Sequence, residues 1–224
     1  MDSSPSAPAA QTSNEPLKSK HYTSMFTKDI LHMLQPYFQG RTLDVGAGTT
    51  KYSTIILKTA TSYTASDSFP GKHIDIVCDA HHLPFKDGEY DTVICTGVLE
   101  HVRQPWIVAK ELERVTKPGG HLIVAAPFMV GYHADPHDYF RFSIEGMKVL
   151  FTDVKMLELS TYGAFFELIS SMAKFGFCNP YTMPHPGFIR RNIFRVVQKV
   201  CKFLDRFSPA QGVFYEMVLL IGQK

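Results

Sequence analysis

Apolar residues along the chain follow two rhythms. Short stretches at residues 42–45, 62–67, 74–79, 91–95, 121–126, 155–160 and 213–221, some with apolar residues interleaved with polar ones and 121–126 nearly continuous, predict strands. Between them, apolar residues recur every three or four positions and predict helices over 22–38, 51–58, 105–116, 143–151, 164–175 and 188–207. The helix boundaries carry their own signals. Ile30, Leu31, Leu34 and Phe38 line one face of the first, and Gly40 stops it. Pro105 suits a first helical position, and Lys117, Pro118, Gly119 and Gly120 make a hard stop. Ser143 is a candidate N-cap. Apolar strands alternating with amphipathic helices imply an α/β fold, with a parallel sheet covered on both faces. No internal repeat interrupts the pattern.

Composition narrows this picture. The 224 residues are 45% hydrophobic and 20% charged, enough for a stable core without disulfides. Residues 1–20 are rich in Ser, Pro and Ala and lack the basic start and apolar core of a secretory leader, so a disordered tail is expected there. Residues 21–224 then form a single domain, with a basic amphipathic insertion at about 176–210 before the last strand. A net charge of +2 is too mild to point to nucleic acid. Cys78, Cys95, Cys178 and Cys201 form no C-x-x-C pair, which argues against a zinc or redox motif and fits a reducing cytoplasm. The best apolar run, 122–132, is too short to span a bilayer and contains Pro127.

The first candidate chemistry lies at Leu43-Asp44-Val45-Gly46-Ala47-Gly48, a strand entering a glycine turn. A dinucleotide loop brings a pyrophosphate onto backbone N–H groups. Asp44, two positions before the first glycine, would repel those phosphates, and Lys51 stands where a third glycine would be. A cationic, phosphate-free nucleoside fits the charge better, and S-adenosylmethionine is such a molecule. Asp44 also has a plainer reading, as a hydrogen-bonding brace of the tight turn.

The order of motifs resembles the class I S-adenosylmethionine-dependent methyltransferases, more narrowly the type 11 methyltransferase-domain family. The matching residues run from Leu43 to Gly48, then Asp67, then Asp79 to Phe85, then Tyr90 to Ile94. They continue with Val98-Leu99-Glu100-His101-Val102 and with Leu112 to Gly120. The resemblance covers roughly residues 40 to 130. It implies a doubly wound, Rossmann-like sheet of seven strands, six parallel and the last antiparallel, with helices on both faces. It also implies a cofactor site of Asp44, Gly46, Ala47, Gly48, Asp67, Asp79, Ala80 and Thr96. Asp67 would accept from the ribose hydroxyls, and Asp79 with the Ala80 N–H would meet the adenine. Ordinary turn chemistry is the alternative for both carboxylates. Leu83 and Phe85 could flank the adenine, with core packing the better reading of Phe85.

The acceptor half is less legible. Glu100 and His101 follow the fourth strand, beside the expected methyl-transfer centre. Residues 127–143 hold Tyr132, His133, Asp135, His137, Asp138 and Arg141 where this family places substrate contacts. Candidate bases are His101, His133 and His137, needed only for a hydroxyl or protonated amine acceptor. Tyr132, Asp138 and Arg141 are substrate candidates, although Asp138 and Arg141, three apart, also suit a loop-fixing ion pair. Pro136 between His133 and His137 argues against a helical metal pair, so no metal is expected. Residues 188–207 carry six Lys or Arg against one Asp, a net +5, beside the apolar stripe Ile189, Ile193, Val197, Val200 and Leu204. Such a helix either packs its stripe as a lid or lies on an anionic membrane surface as a peripheral contact. The expected function is methyl transfer to an O or N atom of a small-molecule, saccharide or lipid-like acceptor. The alternative is a non-catalytic methyltransferase-like module that binds a partner or a membrane.

Overall fold

A computed structural model describes residues 21–22, 32–49, 52–134, 136–177, 187–208 and 213–224. The strands are β1 (His21–Tyr22), β2 (Arg41–Val45), β3 (Ser62–Asp67), β4 (Ile76–Val77), β5 (Tyr90–Thr96), β6 (Thr116–Pro127), β7 (Lys155–Tyr162) and β8 (Met217–Gln223). The helices are α1 (Ser53–Ile56), α2 (Pro105–Val115), α3 (Ile144–Leu150), α4 (Phe165–Phe177) and α5 (Phe188–Leu204). One sheet joins all the strands in the order β1-β7-β8-β6-β5-β2-β3-β4. The seven expected strands are present, with β2 to β7 parallel to one another and β8 antiparallel to β6 and β7. The two-residue β1 adds an eighth at one edge, pairing parallel with β7.

The sheet separates two apolar layers. Leu43, Val45, Val93, Cys95, Leu122 and Val124 pack beneath α2 and α3 on one face. Ile94, Ile123, Ala125, Leu219 and Ile221 face Leu34, Phe38 and α1 on the other. Period-two alternation along each strand supplies both layers. In α2, Val108, Ala109, Leu112 and Val115 are fully buried at helical spacing, and Pro105 occupies the first turn as expected. Ser143 caps α3 by accepting from Gly146 N–H at 3.1 Å.

Several boundaries differ from expectation. Tyr22 lies in β1, not in a helix; residues 32–34 are helical, Gln35–Tyr37 form a 3₁₀ turn, and the intervening part of the expected helix falls outside the described residues. The fourth element shrinks to Ile76–Val77, because Asp75 turns its carboxylate onto Ala65 N–H at 2.8 Å instead of extending the ladder. Residues 117–120 do not end the helix ahead of a separate strand. They belong to β6 and bulge out, as the shift of register between Tyr90 and Thr92 records. The apolar stripe of α5 is not packed as a lid: Ile189, Ile193, Val197, Val200 and Leu204 are all exposed. The helix is tied down instead by its end, where Asp205 accepts from Phe166 N–H at 2.8 Å and Glu167 N–H at 2.9 Å and so caps α4.

Candidate active site

The chain runs from β2 to β3 and β4 on one side, then returns to β5 and β6 on the other. This reversal beside β2 opens a crevice at the carboxyl ends of the strands. The glycine turn follows β2, Asp67 ends β3, Asp79 follows β4 and Thr96 ends β5. All the candidate cofactor residues therefore share one edge of the sheet.

Gly46 has φ 75° and Gly48 φ 56°. At Gly46 a side chain is also excluded sterically, since a Cβ there would lie 2.2 Å from Val98 Cγ2. The turn is held from below, where Gly46 and Ala47 N–H groups donate to Ser66 O at 2.8 and 3.0 Å. Asp67 accepts from Gly48 N–H at 2.9 Å and Phe69 N–H at 3.0 Å. Of the two carboxylates for which a turn-bracing role was open here, Asp67 and not Asp44 takes it.

Asp44 instead lies inside β2, buried on the face opposite Leu43 and Val45. It lines a narrow cleft with Tyr52, Ile56, Ile94 and Thr96. Its Oδ2 accepts from the Tyr63 hydroxyl at 2.7 Å. Burial lifts its pKa to about 6, against the lowering effect of the Tyr63 bond, and the charge of Asp67 adds to the rise. Burial likewise lifts the Tyr63 hydroxyl, helped by the Asp44 charge. The sequence carried no signal for Tyr63 as this partner.

Asp79 is exposed and accepts from His81 N–H at 2.9 Å, with His81 Nδ1 at 2.6 Å. The His81 N–H bond leads in holding its pKa below the usual carboxylate range. The following loop is braced from α2. Glu111 accepts from Leu83 N–H at 2.8 Å, and Arg114 donates to Leu83 O, Phe85 O and Asp87. Leu83 is buried in the core, and Phe85 packs edge-on against Tyr90 at 5.1 Å.

On the acceptor side, Leu99–His101 form a 3₁₀ turn just beyond β5. The loop after β6 is bound to it, Tyr139 N–H donating to Glu100 O at 2.7 Å. Arg141 is the brace of that loop. Its guanidinium grips both oxygens of Asp138 and donates to Val130 O at 3.0 Å, Phe140 O at 2.8 Å and Gly131 O at 3.3 Å. Asp138 also accepts from His133 N–H at 2.9 Å, and the Arg141 bond leads in pulling its pKa down to about 2. Asp138 is therefore spent internally, while Tyr132 stands exposed. The loop brings His133 to His101, ring centroids 5.1 Å apart, with Glu100 beneath them. The His137 ring turns away onto Tyr139, and only its carbonyl reaches the cluster, accepting from His101 Nδ1 at 2.5 Å.

Residues 43–124 match a family model described as a methyltransferase domain. This segment is similar to methyltransferase domains, over 82 of the 224 residues. A relative from Mycolicibacterium gilvum, described as an uncharacterized methyltransferase, is 30% identical over 101 residues. That match spans 40% of this chain and 40% of the relative, so the likeness covers well under half of either protein. Among solved structures, phosphoethanolamine N-methyltransferase 2 of Haemonchus contortus in complex with S-adenosylmethionine superposes with TM-score 0.57 at 12% identity, covering 90% of this chain and 53% of that one. The [4+2]-cyclase SpnF superposes with TM-score 0.54 at 16% identity, over 93% and 88% of the two chains. At such identities the superpositions establish the Rossmann-like methyltransferase fold and nothing of the chemistry.

Proposed function

We propose that the protein is an S-adenosylmethionine-dependent methyltransferase acting on an oxygen or nitrogen of a small-molecule, saccharide or lipid-like acceptor. One observation carries the reading: the family-matched segment brings the glycine turn, Asp67, Asp79 and Thr96 to one end of the sheet, beside the strand reversal. Gly46, Ala47 and Gly48 let the backbone approach the methionine part of the cofactor. Asp67 takes the ribose hydroxyls, and Asp79 with Ala80 takes the adenine. Asp44, behind the turn, offers negative charge to the ammonium and sulfonium. The sulfonium is itself a good leaving group, so the protein's task is to align nucleophile, methyl carbon and sulfur. His101 and His133 stand on the acceptor side, where a proton must leave a hydroxyl or ammonium.

Calorimetric titration with S-adenosylmethionine tests the cofactor half, with a pyridine dinucleotide as control. Release of S-adenosylhomocysteine in the presence of candidate acceptors tests the reaction. Binding of the dinucleotide alone would overturn the proposal. The exposed stripe of α5, beside exposed Arg195, Lys199, Lys202 and Arg206, favours a second reading of that helix, as a peripheral contact with an anionic membrane. Sedimentation with phosphatidylserine vesicles, but not with phosphatidylcholine vesicles, is the outcome expected of it.

A further inference from the structure

The Glu100 side chain is 3% exposed, and its Oε1 lies 3.8 Å from His101 Nε2 and 3.8 Å from His133 Nε2. Its second oxygen, Oε2, is buried without a hydrogen-bond partner among the described residues. A carboxylate so placed needs compensation, because an unpaired buried charge is costly. Arg141 lies within electrostatic reach of Glu100, but its N–H groups are committed to Asp138 and three carbonyls.

The two imidazoles face the carboxylate with fixed polarity. Each Nδ1 meets a backbone carbonyl, His137 O for His101 at 2.5 Å and Gly131 O for His133 at 2.9 Å. A carbonyl oxygen only accepts, so each Nδ1 carries the hydrogen, and in the neutral ring Nε2 presents a lone pair. Three acceptors therefore converge, their ligand atoms all within 4.8 Å of one another. A proton on His133, favoured by the Glu100 carboxylate, joins two of them, and a metal ion joins all three. Imidazoles held by Nδ1–H bonds to carbonyls, with Nε2 directed inward, are what a metal site requires.

We propose that Glu100, His101 and His133 bind a divalent transition-metal ion. Ligand bonds of about 2.0–2.2 Å put two atoms on one ion roughly 3 to 4 Å apart, which suits the 3.8 Å separations. Two imidazoles and one carboxylate favour zinc, iron, cobalt or nickel over magnesium or calcium, and they leave coordination positions open. The expectation of no metal considered only His133 and His137 as a pair on one helix. The structure replaces His137 by two residues from the turn after β5. If the methyltransferase reading above holds, the open positions face the acceptor, and the ligand class is an acceptor with a hydroxyl or carboxylate oxygen. Metal binding itself does not depend on that reading.

The test is titration of the purified, metal-stripped full chain with Co(II) alone, without S-adenosylmethionine, read by visible absorption and calorimetry. One ion per chain with micromolar or tighter affinity is expected. Glu100→Gln and His133→Ala should each weaken binding at least tenfold, while His137→Ala should leave it unchanged. Should either weakened variant misfold, proton NMR of the wild type decides, since Co(II) bound by His101 and His133 must produce two far-downfield, exchangeable ring N–H signals, one from each liganding imidazole, and their absence overturns the proposal. Millimolar binding, or binding indifferent to His133→Ala, overturns the proposal. Loss of S-adenosylmethionine binding with Co(II) binding intact would count against the proposed function and leave the metal site standing.

Discussion

Glu100, just beyond β5, is treated in the opposite way to the carboxylates beside β2, β3 and β4. Toward β2, β3 and β4, each one has a donor: Tyr63 on Asp44, Gly48 and Phe69 N–H on Asp67, His81 on Asp79. Toward β6, Glu100 is more deeply buried than these, and one of its oxygens lacks a partner among the described residues. A satisfied carboxylate tolerates the absence of a ligand and exchanges partners when one arrives. An unsatisfied buried one makes the site depend on what fills it. The cofactor side is thus built to bind and release, and the acceptor side to be completed.

The comparison can be broken most forcefully at Arg141, whose grip on Asp138 shapes the acceptor side. Arg141→Met leaves Asp138 buried without its cation and should cost about 3 kcal/mol. In a domain of this size that lowers Tm by roughly 6–12 °C, measured by calorimetry. Adding Asp138→Asn should restore part of the loss, and no change in Tm would remove the pair as a brace. On the cofactor side, Gly46→Ala meets both a positive φ and Val98, and should cost about 2–3 kcal/mol along with cofactor binding. Gly48→Ala, with nothing among the described residues within 4 Å of a new Cβ, should cost only about 1 kcal/mol. Equal destabilisation would show that close packing at the turn is irrelevant.

Smaller effects sharpen the contrast. Asp67→Ala should lower affinity for S-adenosylmethionine tenfold or more, about 1.4 kcal/mol at the least. Its Tm should scarcely change, because the freed Gly48 and Phe69 N–H groups turn to water. Asp44 gives the mildest signal. Burial raises its pKa to about 6, so the folded chain holds a proton that the unfolded chain gives up. That stabilising contribution is complete below about pH 4 and is lost as pH rises through about 6. A bound cation prefers the ionised form, so affinity should rise by less than tenfold per unit between about pH 5 and 7. Asp44→Asn should flatten that slope in calorimetric titrations.

Much of the cofactor side could be read from the chain because its signals are local. Glycines with positive φ follow β2 directly, and β3 spans the residues its pattern indicates. The acceptor side resisted because its determinants are distant contacts. Glu100 and His101 were visible beside the expected centre, but nothing in the sequence says that residue 133 returns to them. Nor could it show that His137 contributes a carbonyl and not a ring. The stripe on α5 was read correctly as apolar. Its exposure depends on the helix being anchored through Asp205, which periodicity does not encode.

The outermost strands have a consequence for the protein in a crowded solution. β1 and β4 close the two flanks of the sheet, and each is only two residues long. They cover only Thr161 and Tyr162 of β7 and Ser66 and Asp67 of β3, whereas the apolar strands β2, β5, β6 and β8, which could template a fibril, lie enclosed between neighbours. Asp75 guards one rung more, since its carboxylate and its N–H together occupy both backbone groups of Ala65 at the β3 flank.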